Sequence, residues 1–174
     1  MNTNKTNWNV DPTHSEIGFS VKHMMFSTVR GTFNDFSGSL EAEEGLKNAK
    51  LKAEIQVSSV DTRNEQRDEH LKGTDFFDAE KFPTIRFKST LDELKSGKVV
   101  GEFEMHGHKQ SLPLEIEFHG EALDPWGNTR AALSFTTEIN RKDYGLTWNS
   151  ALETGGVLVG ENVKLHGDIQ LVKA

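Results

Sequence analysis

Apolar and polar residues alternate with a period of two in eight stretches of the chain, and every stretch places charged side chains on its polar face. The clearest examples are residues 16–22 and 49–57. Successive side chains of a β-strand point to opposite faces, so each stretch predicts a strand with one buried face and one solvated face. Eight such strands are about the number that closes a small barrel around packed side chains or one apolar ligand.

Short connections separate most of the predicted strands, which favours antiparallel neighbours in an all-β fold. The second strand changes phase, because Val29 and Phe33 occupy odd positions while Phe36 and Leu40 occupy even ones. One extra residue near 34–35 would keep both sets facing inward, so we predict a β-bulge there. The eight predicted strands cover residues 16–22, 29–42, 49–59, 84–91, 99–105, 111–118, 130–140 and 162–172.

One predicted helix is inserted between the third and fourth strands. Thr62 and Glu65 have the spacing of a capping box, in which two side chains satisfy the free N–H groups of a helix start. Gly73 is a typical residue at which a helix ends. We therefore predict a helix of about three turns over residues 64–72.

Length, charge and composition exclude several classes of function. With 174 residues the chain suits one domain, spanning residues 1–174. The net charge of −7 argues against nucleic acid or an anionic membrane surface as the main partner. The absence of Cys excludes disulfides and thiolate chemistry. Residues 1–7 are polar and lack the apolar core of a signal peptide, which predicts a cytoplasmic protein, and no apolar run is long enough for stable membrane insertion.

Phenylalanine dominates the predicted inner faces. The chain has 11 Phe but only one Tyr, and Phe adds apolar area without a polar group. A filled core would account for these rings. Four Gly at inward positions 31, 38, 101 and 167 favour a lined tunnel instead, because they remove volume that a filled core would use. Glycines that relieve bends in the barrel are the alternative explanation.

Several motifs, in their order along the chain, resemble the YceI-like family. They are W-x-x-D-x-x-H-S-x-I-x-F-x-V-K-H from Trp8, R-D-x-H-L-K from Arg67, D-F-F-D from Asp75, F-P-x-I-x-F-x-S from Phe82 and N-R-x-D-Y-G-L-x-W from Asn140. The resemblance implies an elongated, eight-stranded antiparallel lipocalin-like barrel. It also implies a long hydrophobic ligand, typically a polyisoprenoid or a related lipid.

We predict that the chain sequesters or carries such a lipid (a polyisoprenoid, an isoprenoid quinone or a fatty-acid-like molecule) inside the barrel, without a cofactor and without catalysis. A solid barrel that binds a partner protein is a further alternative. The candidate lipid-binding residues are Phe19, Val21, Met24, Met25, Phe26, Phe33, Phe36, Ile55, Phe76, Phe77, Phe87, Phe103, Met105, Leu114, Phe135, Ile139, Arg141 and Trp148.

The segment 24–26, Met-Met-Phe, lies between the first two predicted strands. Met is flexible and polarizable, which suits a portal for lipid. An ordinary hydrophobic turn packed against the helix is the alternative. An exposed portal would also favour pairing of two copies, so a homodimer is one expectation.

The histidines carry the rival hypothesis, a metal-dependent enzyme or metal-binding protein. His106 and His108 are two residues apart, and with His119 or His166 they could form a zinc site of three imidazoles. His106 lies at a predicted hairpin, however, and a hydrogen-bonded turn histidine is the preferred interpretation.

Two arginines suggest buried ion pairs rather than acid–base catalysis. Arg67 would pin the predicted helix to the barrel by pairing with the carboxylate of Asp75 or Asp78. Arg141 would form the same kind of pair or meet the polar head of a lipid.

Overall fold

The alternating stretches form one antiparallel sheet in the computed structural model, which describes residues 4–152 and 156–174. The strands are β1 (Thr6–Val10), β2 (Glu16–His23), β3 (Ser27–Phe33), β4 (Phe36–Glu43), β5 (Lys47–Gln56), β6 (Val60–Asp61), β7 (Thr84–Glu93), β8 (Gly97–Met105), β9 (His108–Leu123), β10 (Thr129–Asn140) and β11 (Val159–Lys173). One α-helix, α1 (Glu65–Lys72), lies between β6 and β7.

The sheet closes into a barrel because β1 pairs with both β4 and β11. Strands β1 and β2 lie end to end along β11. In the same way β3 and β4 together form one long strand, and β5 and β6 together form its neighbour. Counted in this way, the barrel has the eight antiparallel strands that the alternation predicts, with the helix inserted where it was expected.

The phase change in the second predicted strand is a break in two strands, so the prediction of a one-residue bulge was wrong. Strand β3 ends at Phe33 and β4 begins at Phe36, while the neighbouring strand is interrupted by a 3-10 turn at Val57–Ser59. The N–H of Asn34 donates to the carbonyl oxygen of Ser59 at 3.2 Å, which bridges the break. The extra residues thus lie in the partner strand, and Phe33 and Phe36 both remain buried.

Strand β1 was not predicted, because only Trp8 and Val10 are large and apolar in that polar segment. It closes one end of the barrel: Trp8 is 2% exposed and is paired in register with Leu40 of β4 and with Lys173 of β11. We call this closed end the Trp8 end. The opposite end, where α1 and Arg141 lie, is called the Arg141 end.

The helix begins one residue later than predicted, and its cap is Asn64 rather than Thr62. The Oδ1 atom of Asn64 accepts the backbone N–H of Arg67 at 3.0 Å, whereas the hydroxyl of Thr62 donates to Asp68. Gly73 follows the last helical residue, as expected.

Among residues 4–152 and 156–174, no carboxylate pairs with Arg67, which corrects the predicted ion pair with Asp75 or Asp78. Its Nε donates to the hydroxyl of Thr62 at 2.8 Å and its Nη2 to the carbonyl oxygen of the same residue. Asp75 instead accepts from His70 across 2.9 Å. The arginine therefore secures the start of α1 through the preceding loop.

A polar network joins the β9–β10 turn to the connection between β1 and β2. The guanidinium of Arg130 donates to Asp124 at 2.8 Å and to Asp11 at 2.9 Å. These hydrogen bonds favour the charged carboxylates. Arg130 lowers the pKa of Asp124 to about 2, and hydrogen bonds from Thr13 and Arg130 hold the pKa of Asp11 well below its ordinary value.

We expect Arg130→Met to lower the melting temperature at neutral pH, with a penalty that shrinks in acid. A carboxylate with a depressed folded pKa stabilises the fold fully above its unfolded value near 4, and this contribution disappears as the pH falls through the folded value near 2. Thermal unfolding of both proteins, followed by circular dichroism from pH 7 to pH 2, measures the difference. A penalty that is constant over this range would contradict the assigned role of the two carboxylates.

Candidate functional site

A cavity of about 210 Å³ lies inside the barrel, and apolar side chains from the inner faces of the strands form most of its wall. Leu71 of α1, Phe76, Phe77 and Leu146 complete the wall at the Arg141 end. Fourteen of the eighteen candidate residues line this cavity: Phe19, Val21, Phe33, Phe36, Ile55, Phe76, Phe77, Phe87, Phe103, Met105, Leu114, Phe135, Ile139 and Arg141.

Four candidates, Met24, Met25, Phe26 and Trp148, lie outside the cavity wall, and their contact with a ligand stays a prediction. Met24, Met25 and Phe26 form the exposed tip of the β2–β3 hairpin, because that turn projects beyond the barrel rim. Trp148 packs against Phe76 at the Arg141 end, with the two ring centroids 5.2 Å apart.

Glycines on the inner wall receive phenylalanine rings from adjacent strands. A Cβ atom on Gly31 would lie 2.5 Å from the ring of Phe19, and one on Gly167 would lie 2.3 Å from the ring of Phe135. Gly101 is in the same relation to a ring of β7. A side chain at any of these positions would force the facing ring to move, since real Cβ contacts are not this short.

The glycines therefore do not leave empty volume themselves, which corrects the reasoning from sequence. Rings fill the space beside three of them, and Val10 fills the space beside Gly38, where a Cβ atom would lie 2.8 Å from its Cγ2. Because the rings pack against the backbone of neighbouring strands, the space along the middle of the barrel stays open. This packing reconciles a phenylalanine-rich interior with a cavity.

Arg141 brings a positive charge into the wall at one end of the cavity. Arg141 is 3% exposed. Its guanidinium donates three hydrogen bonds to backbone carbonyl oxygens: Nε to Gly160 at 2.8 Å, Nη1 to Leu146 at 2.7 Å and Nη2 to Val159 at 3.4 Å. Burial lowers the pKa of Arg141, and the nearby Glu161 opposes that effect. All three hydrogen bonds end on backbone carbonyl oxygens, so the predicted arginine–carboxylate pair is not among them.

His106 and His108 hydrogen-bond to backbone carbonyl oxygens at the β8–β9 hairpin, in line with the interpretation of His106 as a turn residue. The Nδ1 atom of His106 lies 2.9 Å from the carbonyl oxygen of Tyr144, and that of His108 lies 2.7 Å from the carbonyl oxygen of His106. The two rings are stacked, with centroids 5.9 Å apart. Across residues 4–152 and 156–174, no three His, Asp or Glu side chains are grouped closely enough to hold a metal ion.

Three rings join α1 to the segment that follows β10. The ring of His70 lies edge-on to Phe76 at 5.0 Å and to Trp148 at 4.9 Å, measured between centroids. Phe76 lines the cavity, whereas Trp148 belongs to the segment that follows β10 and covers this end of the barrel. This cluster, which we call the cap cluster, closes part of the Arg141 end.

Several lining residues were absent from the candidate set. Most are aliphatic residues of the same inner faces, such as Leu51, Leu112 and Ile169, and the alternation that identified their neighbours would have found them. Leu71 and Leu146 lie outside the strands, and no periodic signal marks them.

The model of the YceI-like domain matches residues 8–171. The chain belongs to the YceI-like family. A UPF0312 protein of Staphylococcus epidermidis is 38% identical to this YceI-like chain, over 95% of this chain and 96% of the relative. A UPF0312 protein of Staphylococcus aureus is 36% identical with the same coverage.

Solved structures of other proteins share the YceI-like fold. A YCEI protein of Campylobacter jejuni superposes with a TM-score of 0.72 at 27% identity, covering 87% of this chain and 88% of that one. BcnA of Burkholderia cenocepacia superposes with a TM-score of 0.78 at 18% identity, covering 92% and 98%. A polyisoprenoid-binding domain of Saccharophagus degradans, implicated in plant cell wall breakdown, has a TM-score of 0.71 at 14% identity, covering 96% and 98%. The last two similarities concern the fold alone.

Within the described part of this YceI-like chain, no helix has both the length and the apolar character needed to cross a membrane.

We expect Gly167→Ala to destabilise the YceI-like barrel and to reduce its interior space, because the new methyl group displaces the ring of Phe135 from the wall. Overpacking of this kind costs about 1–3 kcal/mol. Thermal unfolding and titration with the apolar fluorophore N-phenyl-1-naphthylamine measure the two effects. Gly73→Ala is the matched control, since its nearest contact would be 3.3 Å and it lies outside the barrel wall. Equal stability and equal probe binding in both variants would argue against the ring–glycine packing.

Proposed function

We propose that this protein binds a long apolar lipid inside the barrel and sequesters or transfers it. The observation that carries the proposal is the cavity, whose wall is apolar side chains over most of its surface. Burial of a hydrocarbon chain in such a wall contributes about 0.8 kcal/mol per methylene group, offset in part by the cost of ordering a flexible chain. Few other ligand classes would gain from this lining.

The ligand class that the site favours is a polyisoprenoid or a related isoprenoid quinone or fatty-acid-like chain. Family membership and the Saccharophagus degradans neighbour, a polyisoprenoid-binding domain, support this choice. Ligand pockets commonly measure about 300–1,000 Å³, and the cavity of about 210 Å³ is smaller. A long chain would therefore displace inner rings or extend through one end of the barrel.

The Arg141 end is the proposed entrance, since Trp8 and its neighbours fill the other end. Separation of the cap cluster, in which Trp148 contacts His70 and Phe76, would uncover the cavity from the helix side. These contacts, one edge-on and one tilted, involve only three rings, so they can part without disturbing the strand ladders.

The polar head of the ligand is proposed to lie against Arg141. The hydrogen bonds to Gly160, Leu146 and Val159 use three of the five N–H groups that a guanidinium offers. The remaining N–H groups can bind a phosphate, carboxylate or quinone oxygen, and a charged hydrogen bond of this kind is stronger than a neutral one.

A binding protein, rather than an enzyme, is the class that these features favour, because the histidines of the rival hypothesis are engaged with backbone carbonyls. The cytoplasmic location remains a prediction from the sequence.

We expect lipid to copurify with the protein and to be released on denaturation, as measured by native mass spectrometry followed by lipid extraction. Ala53→Phe, which adds a ring inside the cavity, should lower the bound fraction. Val100→Phe is the matched control, because this residue is 55% exposed on the outer face. Protein that contains no lipid and takes up neither a prenyl chain nor a fatty acid would overturn the proposal.

The role of Arg141 is tested by comparing a charged and a neutral ligand of the same chain. We expect Arg141→Gln to weaken farnesyl diphosphate binding about tenfold or more, because a hydrogen bond to a charged group contributes about 1.5–3 kcal/mol. Farnesol binding, measured by the same calorimetric titration, should change much less. An equal loss for both ligands would show that Arg141 supports only the local backbone.

A further inference from the structure

The tip of the β2–β3 hairpin exposes apolar side chains at the Arg141 end of the barrel. Phe26 is 83% exposed, and Met24 and Met25 beside it are 42% and 59% exposed. Val157, from the neighbouring segment, is 37% exposed. We call these four residues, three from the hairpin turn and Val157 beside it, the hairpin tip. A projecting apolar group of this kind commonly marks an interaction site.

The backbone holds the hairpin tip in a fixed and costly conformation. Met24 and Met25 have φ values of 54° and 70°, in the left-handed region that usually favours Gly or Asn. The N–H of Met24 donates to Leu158 at 2.8 Å, and the hydroxyl of Ser27 donates to His23 at 2.7 Å. Strained backbone clusters at functional sites, so the use of two bulky Met residues where Gly or Asn would cost less supports a role for the tip.

The hairpin tip is continuous with the site proposed to hold the ligand head. His23, directly before the tip, pairs with Val159 of β11, whose carbonyl oxygen accepts a hydrogen bond from Arg141. Val21 and Val159 also line the cavity. A surface or partner molecule that binds the hairpin tip would therefore lie next to the proposed entrance.

The charge of the hairpin segment itself differs from that of the whole chain. Residues 20–30 contain Lys22, His23 and Arg30 and no Asp or Glu, although the chain has a net charge of −7. Aromatic and Met side chains flanked by cationic ones are the composition that settles into the interface of a bilayer, with rings among the acyl chains and cations near the phosphates.

We propose that the hairpin tip docks on a lipid bilayer by inserting Phe26, which turns the Arg141 end toward the membrane. Contact is peripheral and reversible, because one short tip buries little apolar area. The proposal rests on the proposed function for the identity of the exchanged lipid, but docking itself is measured without that ligand.

The experiment is co-sedimentation of the protein with phosphatidylcholine vesicles, with and without phosphatidylglycerol. We expect Phe26→Ser to lower the partition coefficient about tenfold, from the lost transfer of one ring. Trp126→Ser is the matched control: this residue is 81% exposed in the β9–β10 turn, beyond the Trp8 end, and its loss should leave partitioning unchanged. Lys22→Gln should weaken binding only to the vesicles that contain phosphatidylglycerol.

Solution binding of farnesyl diphosphate, measured on the same variants, separates the two proposals. Normal binding of this ligand together with a loss of vesicle partitioning in Phe26→Ser supports docking. Equal partitioning of Phe26→Ser and Trp126→Ser would overturn docking, whatever the outcome for the ligand. Analytical ultracentrifugation completes the test, since a dimer that is abolished by Phe26→Ser would identify a second copy of the chain as the occupant and would also overturn docking.

Discussion

The packing of phenylalanine rings against glycines of adjacent strands is the constraint on which the interior depends. Each ring needs a position without a side chain beside it, and Gly31 and Gly167 meet this need for Phe19 and Phe135. The ring contacts also extend to the segment after α1 at the Arg141 end. The ring centroids of Phe19 and Phe33 are 5.5 Å apart, and those of Phe33 and Phe77 are 6.0 Å apart. One line of rings thus connects the wall to the segment that covers the cavity.

The two ends of the barrel have different chemistry. Around Trp8 the core is made of buried apolar side chains, and the Arg130 network braces the adjoining turns from outside. At the other end a buried guanidinium, a short helix and a three-ring cluster meet over the cavity. The proposed ligand, an apolar chain with a polar head, has the same asymmetry and would fit the barrel in one orientation rather than two.

The sequence predicts the barrel well because the alternation of side chains depends only on local geometry. Strand β1 was missed since Trp8 stands between Asn7 and Asn9 and has its partners far along the chain. The cap at Asn64 was misassigned because the hydroxyl of Thr62 is engaged by Asp68, a contact that spacing alone does not reveal. Inner-face phenylalanines could be placed in the cavity wall, but the partners of Arg141 are backbone carbonyls, which carry no sequence signature.

The pairing of β1 with β11 has a consequence for how the protein folds. Trp8 is in register with Lys173, so the ladder that completes the barrel joins residues separated by nearly the whole chain. Contacts of such long sequence separation form late and slow folding, because their loop entropy must be met first. During synthesis the apolar inner faces therefore remain accessible until β11 has left the ribosome, and only then can the closed interior form.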